Sequence, residues 1–161
     1  MWRGSSSIMM GSKLKQMGSN KTIFSCDTFE GVVKAGTSED NHYKGGEHSD
    51  TSLQFVKNHV EKEFGLNNVQ LLQGIFPDDT GHIVQNEKFC LVHIDVDAYV
   101  SAKDIMDWVW ERMSVGGVIV FNDYGFPLTK GITLLVNEYL QRPDAVRIHN
   151  LNGHGIIIKI K

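Results

Sequence analysis

The chain has 161 residues, a length typical of one compact domain, and we expect a single domain over residues 1–161. A hydrophobic fraction of 41% and a charged fraction of 22% exclude the disordered and collagen-like classes. The net charge of −3, without long runs of like charge, predicts no nucleic acid and no membrane as partner. A small molecule is therefore the expected ligand.

The cysteines and the lengths of the apolar runs favour a cytoplasmic location. Cys26 and Cys90 are the only cysteines, and each lies in a short apolar run that predicts a buried strand with a reduced thiol. No apolar run approaches the roughly 20 residues of a membrane span, and the N-terminus lacks the apolar stretch of a signal peptide. We therefore expect a cytoplasmic protein, with homo-oligomerisation left open.

The first half of the chain predicts two helices, a strand and a long loop. Ile8–Met17 follows three serines and precedes a glycine, which is typical of a helix with a serine N-cap and a glycine stop. Thr22–Asp27 has the composition of a strand. The polar, glycine-rich segment 31–46 predicts a loop. Thr51 with Gln54 three residues later is a capping-box pattern that opens the second helix.

The second half alternates strands with helices. Strands are expected over Val69–Leu72, Phe89–Ile94, Gly117–Phe121, Val146–Ile148 and Gly155–Ile160. The unbroken apolar runs among them predict burial on both faces. One helix is expected to open at Ser101, with Asp104 three residues on, and another to carry the apolar positions of Ile132–Leu140. The last two strands suit an antiparallel hairpin at the sheet edge.

This alternation predicts an α/β fold with an open, mostly parallel sheet wrapped by helices. Such sheets bind ligands beyond the carboxyl ends of their strands. Polar residues occupy three of these ends, namely Asp27, the pair Asp95 and Asp97, and the pair Asn122 and Asp123. The candidate chemistry therefore lies at one edge of the sheet.

Asp27 suits the ribose of a nucleotide because a carboxylate can accept hydrogen bonds from two vicinal hydroxyls. A turn cap, with Thr28 beside it, explains the residue equally well. Upstream, the segment Arg3–Ser7 before the first helix can present free backbone N–H groups to a polar ligand group. A plain N-cap is the simpler interpretation of that segment.

The acids after the later strands supply hard oxygen donors, which suit Mg²⁺, Mn²⁺ or Ca²⁺ better than zinc. An EF-hand is excluded because the loop glycine and the closing glutamate do not follow Asp95. Helix capping by Asp97 and a turn at Asn122–Asp123 are the alternative. The seven histidines lack the spacing of a zinc site, and His154, on a turn, is a candidate for the substrate side.

Taken together, these segments resemble the macrocin O-methyltransferase family. Those proteins are class I enzymes that use S-adenosylmethionine and Mg²⁺ to methylate sugar hydroxyls of natural products. The matching segments run in the family's order over essentially the whole chain, at residues 2–8, 27–31, 74–78, 94–101, 116–125 and 153–155. The combination of Asp-x-Phe-Glu-Gly, Asp-x-Asp-x-Tyr-x-Ser and Asp-Tyr-Gly is specific. The resemblance implies a Rossmann-like methyltransferase sheet and a small hydroxylated acceptor.

The resemblance also implies roles for individual residues. It makes Asp95, Asn122 and Asp123 the metal ligands, with Asn122 where the family usually has a second aspartate; this exchange removes one negative charge from the site. We expect catalysis at Asp95, Asp97 and His154. The residues expected to bind the cofactor are Trp2, Arg3, Gly4, Ser5, Ser6, Asp27, Phe29, Gly74, Phe76 and Asp78.

The chain departs from the family at its beginning. A class I methyltransferase has a first, central strand before the glycine loop, but Met1 falls where the first glycine of that loop would stand. We expect either a fragment or a sheet completed by another segment or subunit, because unfilled strand edges leave backbone groups unpaired. The alternative function is a catalytically impaired remnant that binds a ligand or a partner.

The loop segment Thr37–Glu47 has no apolar period and contains two adjacent glycines. We expect it to be a lid over the cofactor and the acceptor, because methyl transfer needs water excluded from the sulfonium. The acceptor is expected to be a vicinal diol or a related polyhydroxylated group. An octahedral Mg²⁺ with three protein oxygens has room for two substrate oxygens and a water.

Overall fold

The computed structural model describes residues 2–40 and 42–161. The helices are α1 (Ser5–Gln16), α2 (Leu53–Asn58), α3 (Tyr99–Trp110) and α4 (Lys130–Glu138). The strands are β1 (Ile23–Asp27), β2 (Val69–Gln73), β3 (Phe89–Ile94), β4 (Met113–Phe121), β5 (Ala145–His149) and β6 (Gly155–Lys159). A π-helical turn, His59–Glu63, extends α2.

The strands form two sheets. β1 and β2 pair in parallel, whereas the second sheet has the order β3, β4, β6, β5. In that second sheet β3 and β4 are parallel, and β6 is antiparallel to both β4 and β5. This arrangement confirms the alternating α/β organisation and the C-terminal antiparallel hairpin.

The chain divides into two compact units. The N-terminal unit comprises Met1–Gly31 and Gly46–Ile83 and contains the two-stranded sheet. The C-terminal unit comprises Val32–Gly45 and Val84–Lys161 and contains the four-stranded sheet. In the parts of the chain that the structure describes, no helix has both the length and the apolar character to cross a membrane.

Helix starts in the N-terminal unit differ from the prediction by one to three residues. α1 begins at Ser5, and its N-cap is Gly4 with a φ of 88°, not a serine. A Cβ on Gly4 would lie 2.9 Å from Cγ1 of Val56, so both the backbone conformation and the space favour glycine. α2 is capped by Ser52, whose hydroxyl accepts from the Phe55 N–H at 3.2 Å, rather than by Thr51. The unit's core joins these helices through Ile8, Phe29, Val56, Val60 and Leu66.

In the C-terminal unit, α3 begins at Tyr99 instead of at the predicted Ser101. The buried carboxylate of Asp40 explains the difference, because both of its oxygens lie 3.0 Å from the Tyr99 N–H. The Ser101 hydroxyl donates instead to the carbonyl oxygen of Val33 at 2.7 Å. The start of the long loop is therefore anchored to α3, around a core that includes Met106, Ile119, Phe121, Leu135 and Ile157.

The prediction that β3 is buried on both faces is wrong. Cys90 is exposed, and the Leu91 side chain is 46% exposed. Within the described residues β3 pairs only with β4, so it forms one edge of the four-stranded sheet. An edge strand leaves part of an apolar run open to solvent, which the run's composition alone does not reveal.

Candidate functional site

Asp27 is held at the end of β1 by contacts to two residues of the predicted cofactor set. Its Oδ1 accepts from the Phe29 N–H at 2.7 Å, and its Oδ2 accepts from the Trp2 N–H at 3.2 Å. The first contact forms the expected turn. The second contact brings the segment before α1 to the strand end, where a ribose-binding carboxylate is expected. The contacts of Asp27 are therefore compatible both with ribose binding and with a turn cap.

Asp50 fixes the segment before α1 in place. Its two oxygens accept from the Trp2 indole N–H at 2.6 Å and from the Arg3 guanidinium at 2.7 Å. These hydrogen bonds, the one from Trp2 first, lower the pKa of the Asp50 carboxyl. The sequence analysis missed Asp50, because it lies 48 residues from Trp2 and no local spacing connects them.

The second predicted cofactor segment follows β2. Gly74 donates its N–H to the carbonyl oxygen of Asp27 at 3.0 Å, which places Gly74 next to the end of β1. Its φ is 139°, and a Cβ there would lie 2.9 Å from Cβ of Asp79. The Asp79 carboxylate accepts from the Ile75 N–H at 2.8 Å and closes the turn that contains Phe76 and Asp78. The structure thus brings both predicted cofactor segments to Asp27.

Three carboxylates meet in the C-terminal unit, at the ends of β3 and β4. The parallel register aligns Ile94 with Phe121, so the residues that follow each strand reach the same edge. One oxygen each of Asp95, Asp97 and Asp123 lies within 4.8 Å of the other two. Asp97 and Asp123 have left-handed backbone conformations, with φ of 62° and 59°. Such conformations in non-glycine residues are frequent at functional sites.

The electrostatics of this carboxylate cluster favour a cation. Burial, and next the negative charge of Asp95, raise the pKa of Asp123. Burial also lowers the pKa of His93, although the negative charge of Asp95 opposes that shift. A half-buried group of like charges is relieved either by protonation or by a bound cation.

Asn122 lies between two of the carboxylates. Its amide nitrogen donates to Asp95 at 3.0 Å and to Asp123 at 3.1 Å. To act as a metal ligand Asn122 would have to present its amide oxygen instead. The ligand assignment of Asp95, Asn122 and Asp123 stays a prediction, and Asp97 is the third carboxylate of the observed cluster.

The alternative role of Asp97 as a helix cap is wrong. The N-cap of α3 is Ala98, which makes no side-chain cap hydrogen bond, and the first N–H of the helix donates to Asp40. The Asp97 carboxylate lies instead beside those of Asp95 and Asp123. Asp97 therefore belongs to the cluster and not to the helix.

His154 lies on the turn between β5 and β6, and this turn packs against the residues that follow β4. Tyr124 donates its N–H to the carbonyl oxygen of Gly153 at 2.8 Å. A Cβ on Gly155 would lie 2.9 Å from Val136 and 3.2 Å from the Tyr124 ring, so this close approach requires glycine. His154 is thereby brought within electrostatic reach of Asp123.

Comparisons with known proteins identify the family and the fold. A family model described as macrocin-O-methyltransferase (TylF) matches residues 1–149. An 8-demethyl-8-(2,3-dimethoxy-alpha-L-rhamnosyl)-tetracenomycin-C 4'-O-methyltransferase of Streptomyces olivaceus is 29% identical, over 97% of this chain and 62% of that protein. A mycinamicin III 3''-O-methyltransferase of Micromonospora griseorubida is 27% identical, over 88% of this chain and 58% of that protein. The chain spans about three-fifths of the length of these relatives.

Solved structures share the fold. The O-methyltransferase NovP superposes with a TM-score of 0.82 at 22% identity, over 100% of this chain and 69% of that chain. The calicheamicin methyltransferase CalS11 superposes with a TM-score of 0.78 at 12% identity, over 98% of this chain and 68% of that chain. These likenesses confirm the Rossmann-like class I methyltransferase fold expected from the sequence.

Proposed function

Since this chain belongs to the macrocin-O-methyltransferase family, we propose that it transfers a methyl group from S-adenosylmethionine to a sugar hydroxyl of a small natural product. The names of the two relatives support a sugar acceptor, because one contains a rhamnosyl group and both specify O-methylation. The observation that carries the proposal is the cluster of Asp95, Asp97 and Asp123 at the sheet edge. The cytoplasmic location stays a prediction.

We propose that the cluster holds a divalent cation, with Mg²⁺ as the expected ion. The donor set fits a hard cation, because Asp95 and Asp123 offer carboxylate oxygens within 4.8 Å of each other and Asp97 adds a third negative charge beside them. The raised pKa of Asp123, caused by burial and by Asp95, is a second sign of fit, since a cation would relieve it. When bound, Mg²⁺ lowers the pKa of a coordinated hydroxyl, and S-adenosylmethionine supplies an electrophilic methyl group.

The residues of this chain bind the cofactor, hold the cation and accept the proton. Asp27 binds the ribose hydroxyls, with the Trp2–Ser6 and Gly74–Asp78 segments around it holding the rest of the cofactor. Asp95 and Asp123, together with Asn122, hold the cation. Asp97, whose carboxylate lies beside those of Asp95 and Asp123, accepts the proton that the acceptor hydroxyl loses.

A second candidate function is a methyltransferase remnant that binds ligand without turnover. Asn122 favours this alternative, because its amide removes one negative charge from the expected ligand set and, as observed, its nitrogen faces Asp95 and Asp123. The two candidates differ in one measurable property. An enzyme produces methylated sugar, whereas a remnant binds the cofactor and leaves the sugar unchanged.

Calorimetric titration with S-adenosylhomocysteine tests the cofactor half of the site. We expect binding to wild type and its loss in Asp27→Ala, because the carboxylate holds both the Trp2 and the Phe29 N–H groups. Glu30→Gln, at an exposed acid three residues away, is the matched control and should bind normally. Undetectable heat with millimolar ligand would contradict cofactor binding.

Transfer of labelled methyl to methyl α-L-rhamnopyranoside, with Mg²⁺ or with a chelator, then tests the reaction. We expect product that depends on the divalent ion. Cofactor binding without product from this or other simple sugars would favour the remnant.

A further inference from the structure

We propose that Asn150 fixes the imidazole of His154 in the tautomer with its proton on Nε2. His154 is then a hydrogen-bond donor at the edge of the carboxylate cluster, and it neither accepts the substrate proton nor ligates the metal. The molecule that receives this hydrogen bond is a sugar acceptor, and this part of the inference rests on the function proposed above. The tautomer itself rests on the geometry of the β5–β6 turn.

The orientation of the Asn150 amide follows from its backbone partners. Oδ1 of Asn150 lies 2.9 Å from the Asn152 N–H and 3.2 Å from the His154 N–H. Both partners can only donate, so the amide atom that faces them must be the oxygen. The other amide atom, the nitrogen, therefore faces the histidine ring.

The tautomer of His154 follows from this orientation. Nδ2 of Asn150 lies 2.8 Å from Nδ1 of His154. An amide NH₂ group has hydrogens to donate and no lone pair to accept with, so Nδ1 must be the acceptor and carries no proton. In the neutral ring the proton then resides on Nε2.

The position of the turn makes this tautomer relevant to the site. The packing of Gly155 against Tyr124 and the hydrogen bond from Tyr124 to Gly153 tie the turn to the residues after β4. His154 lies within electrostatic reach of Asp123, a member of the cluster, and of His93, which precedes Asp95 by two residues. We assign its Nε2–H as the donor to an oxygen atom of a molecule bound there.

The chemistry of such a ring is restricted. A protonated Nε2 has no lone pair for a metal or for a substrate proton, and the lone pair on Nδ1 is used by Asn150. Hydroxyl and ether oxygens of a sugar accept hydrogen bonds, so His154 can orient a sugar. Proton acceptance is left to the carboxylates, and Asn150 is a positioning residue that acts through His154.

The ¹⁵N spectrum of histidine-labelled protein at pH 8 measures the tautomer directly, with His154→Gln assigning the signals. We expect a directly bonded proton on Nε2 of His154 and none on Nδ1. His59 is an internal control of the opposite kind, because its Nδ1 lies 2.7 Å from a Glu63 carboxylate oxygen, which can only accept from it when ionised. A proton on Nδ1 of His154, alone or in a doubly protonated ring, would overturn the proposal.

Asn150→Asp provides a sharper test, because it keeps an oxygen for the two backbone N–H groups and replaces the donating NH₂ with an acceptor. We expect the proton of His154 to move to Nδ1 in this variant. A spectrum identical to that of wild type would show that Asn150 does not set the tautomer.

Titration with Mg²⁺ alone tests the statement about the metal. His154→Gln should bind the ion with an affinity within about twofold of that of wild type, and a loss of affinity of about tenfold or more would identify the ring as a ligand.

In the methyl-transfer assay, Asn150→Asp should raise KM for the rhamnoside about tenfold while kcat changes less. Unchanged KM in an active enzyme would remove the donor role. Absence of transfer by wild type would count against the proposed function, while the spectra would still decide the tautomer.

Discussion

Asp95, Asp97 and Asp123 gather within 4.8 Å, yet they are not equivalent. Asp95 directly follows β3 and accepts a hydrogen bond from the Asn122 amide, whereas Asp97 lies two residues further along the chain in a left-handed backbone conformation. We expect Asp95→Ala to weaken Mg²⁺ binding at least about tenfold more than Asp97→Ala does, as measured by calorimetric titration. Asp107→Asn, at an exposed acid on α3, is the control and should leave binding unchanged. Equal effects of the two cluster variants would contradict the ligand assignment.

The two cysteines differ in how accessible their thiols are to solvent. Burial raises the pKa of the Cys26 thiol to about 11. Cys90 is exposed on β3. At pH 8 a thiol-specific reagent should therefore modify Cys90 quickly and Cys26 slowly, in two phases followed by absorbance. Cys90→Ser should lose the fast phase only, and simultaneous modification of both thiols would contradict the burial of Cys26.

Single residues also show what the sequence could and could not predict about the site. Asp27, Asp95 and Asp123 could be found because each lies within two residues of the end of a strand, and strand position follows from a local apolar pattern. Asp40 and Asp50 could not be found, because they act on residues 59 and 48 positions away. Contacts over such separations depend on how the chain folds back, which no local spacing encodes.

At the scale of the element, α3 depends on a residue of the long loop. Asp40 is 4% exposed and receives the Tyr99 N–H on both carboxylate oxygens. We expect Asp40→Ala to lower the free energy of unfolding by about 1–2 kcal/mol, the usual cost of losing an N-cap interaction, in urea denaturation. Asp97→Ala is the matched control and should cost less, because Asp97 does not cap the helix. The reverse order would restore Asp97 as the cap.

The same contact revises the expected lid. Thr37–Glu47 was expected to close as a unit, but Asp40 anchors the start of this segment to α3, and Asp40 also receives the Thr37 hydroxyl at 3.3 Å. Any closing movement must therefore involve the residues after Asp40. The lid itself stays a prediction.

Across the whole molecule, element type was more predictable than element ends or exposure. The alternation of apolar runs and helical periods predicted the six strands and four α-helices seen in the described part of the chain, because those periods follow from backbone geometry. The starts of α1, α2 and α3 shifted by one to three residues, since Gly4, Ser52 and Asp40 provide the observed caps. Which strand forms a sheet edge depends on its pairing partners, and the apolar sequence of one strand does not determine those partners.

Within the described residues β3 pairs on one side only, and this open edge matters when the protein is handled at high concentration. A strand edge with unpaired backbone groups and an exposed leucine can pair with the same edge of another molecule. We expect the apparent mass in size-exclusion chromatography to rise with protein concentration, and Leu91→Lys, which places a charge on β3, to suppress the rise. Val115→Lys, at an exposed valine on β4, is the control and should leave it unchanged. A mass independent of concentration would show that this edge does not promote aggregation.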